Sequence, residues 1–276
     1  MPNKLNPDQV KINFNLAPSG ELSVIMETPP IERNIKGKAI TISGLIIKSA
    51  TAADVDNYYE LFSDSDVMQK YATGKTVSDK SVIESRINGY VAKWKNNNPF
   101  SGFSVYTKDS GKFVGHAIAG GSDEGRGASE VAYLFHKDYW GRGIGSIVTS
   151  ALVNCYIPRV MMRNYELNHS PLNKLVATAR TDNFASQKIL EKVGLAADKT
   201  KINYKFGAER YLYSASAKEI RNDHSHFYNK KDAAANNPII TSNDIDMALS
   251  AFGQSSNVAK SWQQKVSNGV KRERGL

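Results

Sequence analysis

The sequence predicts a mixed α/β (α+β) domain, and three observations carry that reading. Short apolar runs with strand-like alternation recur along the chain, separated by stretches of helical apolar spacing. The runs FSGFSVYT and KFVGHAIAGG are joined by KDSG, which is the turn chemistry of an antiparallel hairpin. A glycine-rich turn from Trp140 to Ser146 links an apolar strand directly to an amphipathic helix.

Residues 1–39 form an arm with prolines at 2, 7, 18, 29 and 30. Its β-like runs VKINFNL and ELSVIM pair with each other or lie on the main body, and nothing chemical stands out there. The main domain spans residues 40–214. AITISGLIIKSA alternates as a first strand. Thr51 followed by Asp54 predicts a capping box, opening a helix whose apolar face is Val55, Tyr58, Tyr59 and Phe62. A second helix is expected from Ser78 to Trp94, ended by Asn96 to Pro99. After the hairpin and the loop GGSDEGRG comes the strand SEVAYLFH, then the helix IVTSALVNCYI, which Pro158 should stop. KLVATA is a short strand. NFASQKILEKVG is a helix with a stripe of Ala185, Ile189, Leu190 and Val193, closed by Gly194. KINYKF and RYLYSAS make a final pair of strands. Residues 215–276 read as a polar linker and a tail with two amphipathic helical stretches, one carrying Val258, Trp262 and Val266.

A formal charge of +9 over 276 residues favours anionic partners: nucleic acid, an acidic surface or a polyanionic cofactor. Nucleic acid is the weakest of these, because no recognition motif and no interleaving of aromatic with basic residues occurs. Cys155 is the only cysteine, so neither an intrachain disulfide nor a Cys-rich zinc module is available. That usage suits the cytoplasm. Cys155 itself, at helical spacing among Ile147, Val148, Ala151 and Leu152, reads as a small buried apolar residue. The N-terminus shows no apolar core of the signal-peptide kind, and no run of the ~18 apolar residues of a membrane span is expected.

The turn at Trp140–Ser146 is built to hold an anion. Gly141, Gly143 and Gly145 remove side chains where backbone N–H groups must approach closely, and Arg142 adds a fixed cation. The helix that follows contributes unsatisfied donors and the positive end of its dipole. The motif is not a P-loop, since no Gly-Lys-Ser/Thr ending occurs. Ser146 stands where the dinucleotide fingerprint needs its third glycine, and there is no G-x-S-x-G. The plain alternative is a glycine-rich turn that only joins strand to helix.

At EVAYLFHKDYWGRGIGS the chain resembles the fourth strand and acetyl-CoA loop of the GNAT N-acetyltransferase superfamily, most of all its RimJ/RimL-like branch. Glu130, Ala132-Tyr133 and Tyr139-Trp140-Gly141-Arg142-Gly143 fall at that branch's matching places. The superfamily motif Q/R-x-x-G-x-G/A is present as Trp140-Gly141-Arg142-Gly143-Ile144-Gly145, with Trp in place of Gln or Arg. A second block, ARTDNFASQKILEKVGL, is similar to the branch's signature after the fifth strand, with Asn183 and Ser186 on its polar positions. Asn183 also reads independently as a helix N-cap.

The resemblance covers roughly residues 40–214 and implies a mixed, mostly antiparallel sheet, splayed between the fourth and fifth strands, with helices on both faces. It implies acetyl-CoA as co-substrate, no metal, and direct attack by an amine, either a protein N-terminus or a small molecule. Leu134 and Phe135 would pair with the pantetheine; Trp140, Gly141, Arg142, Gly143, Ile144, Gly145 and Ser146 would hold the pyrophosphate, with Asn183 and Ser186 along the cofactor's path. Glu130 is the candidate base, against the reading of a solvated strand-end carboxylate, with His116 as a second option. Leu190 stands where many relatives carry an acidic tyrosine, which leaves Tyr133 or water to protonate the thiolate. The loops 71–78 and 164–173 are expected to shape the acceptor pocket. The rival class is a GNAT-shaped module that binds acetyl-CoA without turnover and acts through its tail; dimerisation or a partner held by arm or tail stays open.

Overall fold

Ten strands form one continuous sheet in the computed structural model, which describes residues 5–35 and 37–223. The expected C-terminal helical stretches lie outside the described residues. In chain order the elements are β1 (Lys11–Leu16), β2 (Leu22–Glu27), β3 (Ile31–Ile35), β4 (Lys38–Ile42), β5 (Leu45–Ser49), α1 (Val55–Ser63), α2 (Ser65–Met68) and α3 (Lys80–Lys95). Then follow β6 (Gly102–Thr107), β7 (Phe113–Gly121), β8 (Ala128–Phe135), α4 (Ile144–Ser150), α5 (Ile157–Met162), β9 (Lys174–Arg180) and α6 (Phe184–Lys192). The last are β10 (Ala196–Ala197), β11 (Asn203–Lys205), β12 (Ala208–Ser216) and α7 (Ala217–Asp223). The sheet order is β1-β2-β5-β6-β7-β8-β9-β12-β10, with β11 also on β12 and β3-β4 as a separate hairpin.

Every pairing is antiparallel except β8 with β9. That parallel contact lasts only for Ala128↔Lys174, Ser129↔Leu175 and Glu130↔Val176. Beyond Glu130 the strands part, which is the splayed, mostly antiparallel sheet the sequence led us to expect. The residues of β8 alternate between the two faces. Leu134 packs with Tyr58, Phe62, Ile83 and Ile87 of α1 and α3. Val131 and Phe135 join the larger core with Ile147, Val148 and Leu152. Each such buried side chain contributes about 1.5–3 kcal/mol.

Local signals were accurate where they were strong. The Thr51–Asp54 capping box forms, with the Asp54 carboxylate accepting from the Thr51 backbone N–H at 2.7 Å. Asp79 caps α3, and Gly194 adopts φ 92° where α6 ends. Three expectations change. The single strand expected at 39–50 is two, β4 and β5, because Gly44 turns between them at φ 100° and a Cβ there would sit 2.7 Å from the Thr28 carbonyl oxygen. The arm's two β runs pair with each other, as expected, and β2 also pairs with β5, so they extend the sheet.

Pro158 does not stop its helix. A π-helical turn over Ala151–Tyr156 precedes it, and the helix continues to Met162. Proline lacks an N–H and collides with the carbonyl four residues back, and a widened turn relieves both problems. Burial of Ile157, Val160 and Met161 keeps the last turn in place. The full helix Ile144–Met162 is long and apolar enough to cross a membrane, contrary to expectation, yet 72% of it is buried in this fold as a core element.

Candidate active site

The parting of β8 and β9 opens a cleft of about 1000 Å³. Its walls are Glu130–Phe135 on one side and Ala177–Ala179 with α6 on the other. From Val131 to Phe135, the edge of β8 that faces β9 has no strand partner among the described residues. Buried backbone groups without partners are costly, so such an edge suits a ligand able to hydrogen-bond as a further strand.

The glycine turn closes one end. Gly141 and Gly143 adopt φ 72° and 83°, a region that side chains avoid. Among the described residues, the backbone N–H groups of Gly141 to Ser146 find no backbone acceptor. Trp140, Gly141, Gly143, Ile144, Gly145 and Ser146 all line the cleft, as do Leu134 and Phe135. The Trp140 indole donates to the Phe135 carbonyl at 2.8 Å, which fixes the ring while leaving it 51% exposed at the rim. Arg142 behaves differently: its guanidinium lies over the Tyr139 ring at 5.8 Å, and it is not among the lining residues.

Asn183 and Ser186 line the facing wall. The Asn183 amide oxygen accepts from the Ser186 backbone N–H at 3.2 Å, so the N-cap reading holds. The Ser186 hydroxyl lies 3.0 Å from that of Tyr133. Burial raises the Tyr133 pKa above its ordinary value. Ala185 and Ile189, expected in the buried stripe of α6, line the cleft, while Gln187 is buried and donates to the Arg180 and Thr181 carbonyls.

Glu130 stands at the apex of the splay, 23% exposed. Burial raises its pKa, and Lys205, with Nζ at 3.6 Å, works against that. His116 lies one strand away on β7, wholly buried and not among the lining residues. The rings of Tyr58, Phe62 and Tyr90 surround it at 5.2, 5.6 and 6.2 Å. Burial, with the Arg86 charge adding to it, holds its pKa down at about 3, so the imidazole is neutral. Its Nε2 is 3.4 Å from the Tyr71 hydroxyl, which does line the cleft.

Sequence reasoning missed several contributors, three of which stand out. Arg210, Phe206 and, from the arm, Asn34 all line the cleft. Arg210 falls on the inward phase of its strand beside Ala208, a charged residue at an apolar position, and that was the available signal. Of the loops expected to shape the acceptor end, the first contributes Tyr71 and Ala72; among the described residues, 164–173 contributes none.

A profile of the acetyltransferase (GNAT) domain matches residues 44–196, more than half of the chain. The chain belongs to the GNAT acetyltransferase family. This acetyltransferase is 28% identical over 145 residues to the uncharacterised protein YkkB of Bacillus subtilis strain 168, across 51% of this chain and 74% of YkkB. Its fold is similar to that of spermidine N-acetyltransferase from Vibrio cholerae, solved with CoA and spermine. There the TM-score is 0.51 at 11% identity, covering 64% of this chain and 97% of the other. RimL, a ribosomal-protein alpha-N acetyltransferase solved with coenzyme A, matches at TM-score 0.50 and 14% identity, over 62% and 93% of the two chains. At such identities the likeness is one of fold.

Proposed function

We propose that this acetyltransferase moves an acetyl group from acetyl-CoA to a primary amine, in a ternary complex. The observation that carries this is the open β8 edge, which ends at a turn of backbone N–H groups without backbone acceptors and begins at a half-buried carboxylate. Those features fit the cofactor: the Val131–Phe135 edge suits the amides of pantetheine, and the Gly141–Ser146 N–H groups suit a pyrophosphate. Acetyl-CoA would supply the activated thioester; the chain supplies binding and proton handling.

Glu130 is the proposed general base. An amine must be neutral to attack, and a lysine-like amine holds its proton to about pH 10.4. Glu130 takes that proton as the nitrogen bonds to the thioester carbon and the C–S bond breaks, its electron pair leaving on sulfur. The raised pKa makes it a better base than an exposed glutamate. Tyr133 holds its proton too tightly to hand it to a thiolate of pKa about 8.5, so it serves as a hydrogen-bond donor and as an anchor for α6 through Ser186. The thiolate then takes its proton from water. We place the reaction in a reducing compartment such as the cytoplasm, given the single, buried cysteine.

Titration calorimetry with acetyl-CoA, beside an Arg142→Glu/Gly143→Glu double variant, is the test. Binding by the wild type that the variant loses is expected. A folded wild type that does not bind acetyl-CoA refutes the reading.

A further inference from the structure

Arg210 is 4% exposed and lines the cleft. Its Nη2 donates to the Ala72 carbonyl at 2.6 Å and its Nε to the Lys205 carbonyl at 3.2 Å, which leaves the rest of its fork uncommitted by any bond among the described residues. The carboxylates whose charge it feels, Glu130 and Asp182, are engaged elsewhere: Glu130 with Lys205 at 3.6 Å and Asp182 with Arg180 at 3.0 Å. A guanidinium cannot shed its charge, so burying one without an anion is unfavourable. Here the burial is retained at the wall of a binding cleft.

The backbone around it is unusual as well. Ala72 and Phe206 both line the cleft beside Arg210, and both adopt left-handed conformations, at φ 41° and 56°. Side-chain-bearing residues avoid that region, and where they are held in it the surroundings over-determine them. Arg210 bonds the Ala72 carbonyl directly and lies 5.3 Å from the Phe206 ring, which the two-residue hairpin turn Phe206-Gly207 between β11 and β12 carries to the cleft.

We propose that the acceptor amine also carries a carboxylate, and that Arg210 receives this group while Glu130 receives the amine. The planar fork matches a carboxylate, and a bound anion would balance the buried charge. The acceptor class is then a compound with amine and carboxylate on one small skeleton, of the amino-acid type. Arg210 is a specificity residue here, since it meets the group that does not react. This assignment rests on the acetyl-transfer reading above.

Thiol release from acetyl-CoA, measured with the standard amino acids, β-alanine and 4-aminobutyrate, each beside its carboxamide, tests it. At least one carboxylated amine should exceed its amide at least tenfold in kcat/KM. Arg210→Gln should abolish that preference, lowering kcat/KM for the acid at least tenfold more than for its amide; Arg210→Lys should restore part of it. Amides that match or exceed every acid in the wild type overturn the proposal without any appeal to a variant. So does a preference that survives in a folded Arg210→Gln, or acetyl-CoA binding with turnover of uncarboxylated amines only. Absence of acetyl-CoA binding instead sinks the acetyl-transfer reading itself, and this proposal with it.

Discussion

Acidifying the protein from pH 7.5 to 4 probes the enclosure of His116. Its imidazole lies among aromatic rings, and among the described residues it has no ion-pair partner and its Nδ1 has no hydrogen-bond partner. The folded pKa of about 3 is below the ordinary value of 6.5, so the unfolded chain takes up the proton first. The stability this ring contributes is therefore complete above pH 6.5 and is lost as pH falls toward 3. Across pH 7.5 to 4 the loss from this group is about 3 kcal/mol, a large part of a typical domain's margin. Carboxylates titrate in the same interval, so the comparison must be with a variant in which only this ring has changed. His116→Phe fits an aromatic cluster and does not titrate. Urea unfolding followed by circular dichroism at both pH values should show the wild type losing about 3 kcal/mol more than the variant. Equal losses in the two proteins would refute the argument from burial.

Three further outcomes follow from the environments of Glu130 and Cys155. Glu130→Gln should lower kcat by about 100- to 10,000-fold while leaving acetyl-CoA affinity within a few-fold, checked by steady-state kinetics beside calorimetry. In the wild type, kcat/KM should fall on acidification with a midpoint above that of an ordinary glutamate, since burial raises the Glu130 pKa; a profile still flat at pH 4.5 argues against Glu130 as base. Cys155 is fully buried, and burial pushes its thiol up to about 12. It should resist an aromatic disulfide reagent in the native protein and react fully in urea, and fast native labelling at pH 8 contradicts this.

Much of the glycine-turn end of the cleft was legible because its signals are local. A glycine that must turn left-handed, a capping oxygen three residues from its N–H, and a strand of period two all show within a few residues. Trp140–Ser146, Asn183 and the Thr51–Asp54 cap could therefore be placed by reading alone. Pro158 misled for the converse reason: its effect depends on what the previous turn can absorb and on how strongly the next one is buried.

The far end of the cleft had no such signature. Tyr71, Glu130 and Arg210, with His116 behind Tyr71, come from a loop and three different strands, and nothing in their spacing brings them together. Their charges and orientations are set by burial and by neighbours distant in the chain: the ring cage at His116, Lys205 at Glu130, the Ala72 carbonyl at Arg210. The sequence by itself determined most of the elements, their caps and the glycine-rich turn, since backbone sterics and hydrogen bonding act over one or two turns. Only the tertiary structure decided where two parallel strands part company, which carboxylate sits at the fork, and which cation is buried beside it. Desolvation and packing act through space, and only the folded chain puts those groups within reach of one another.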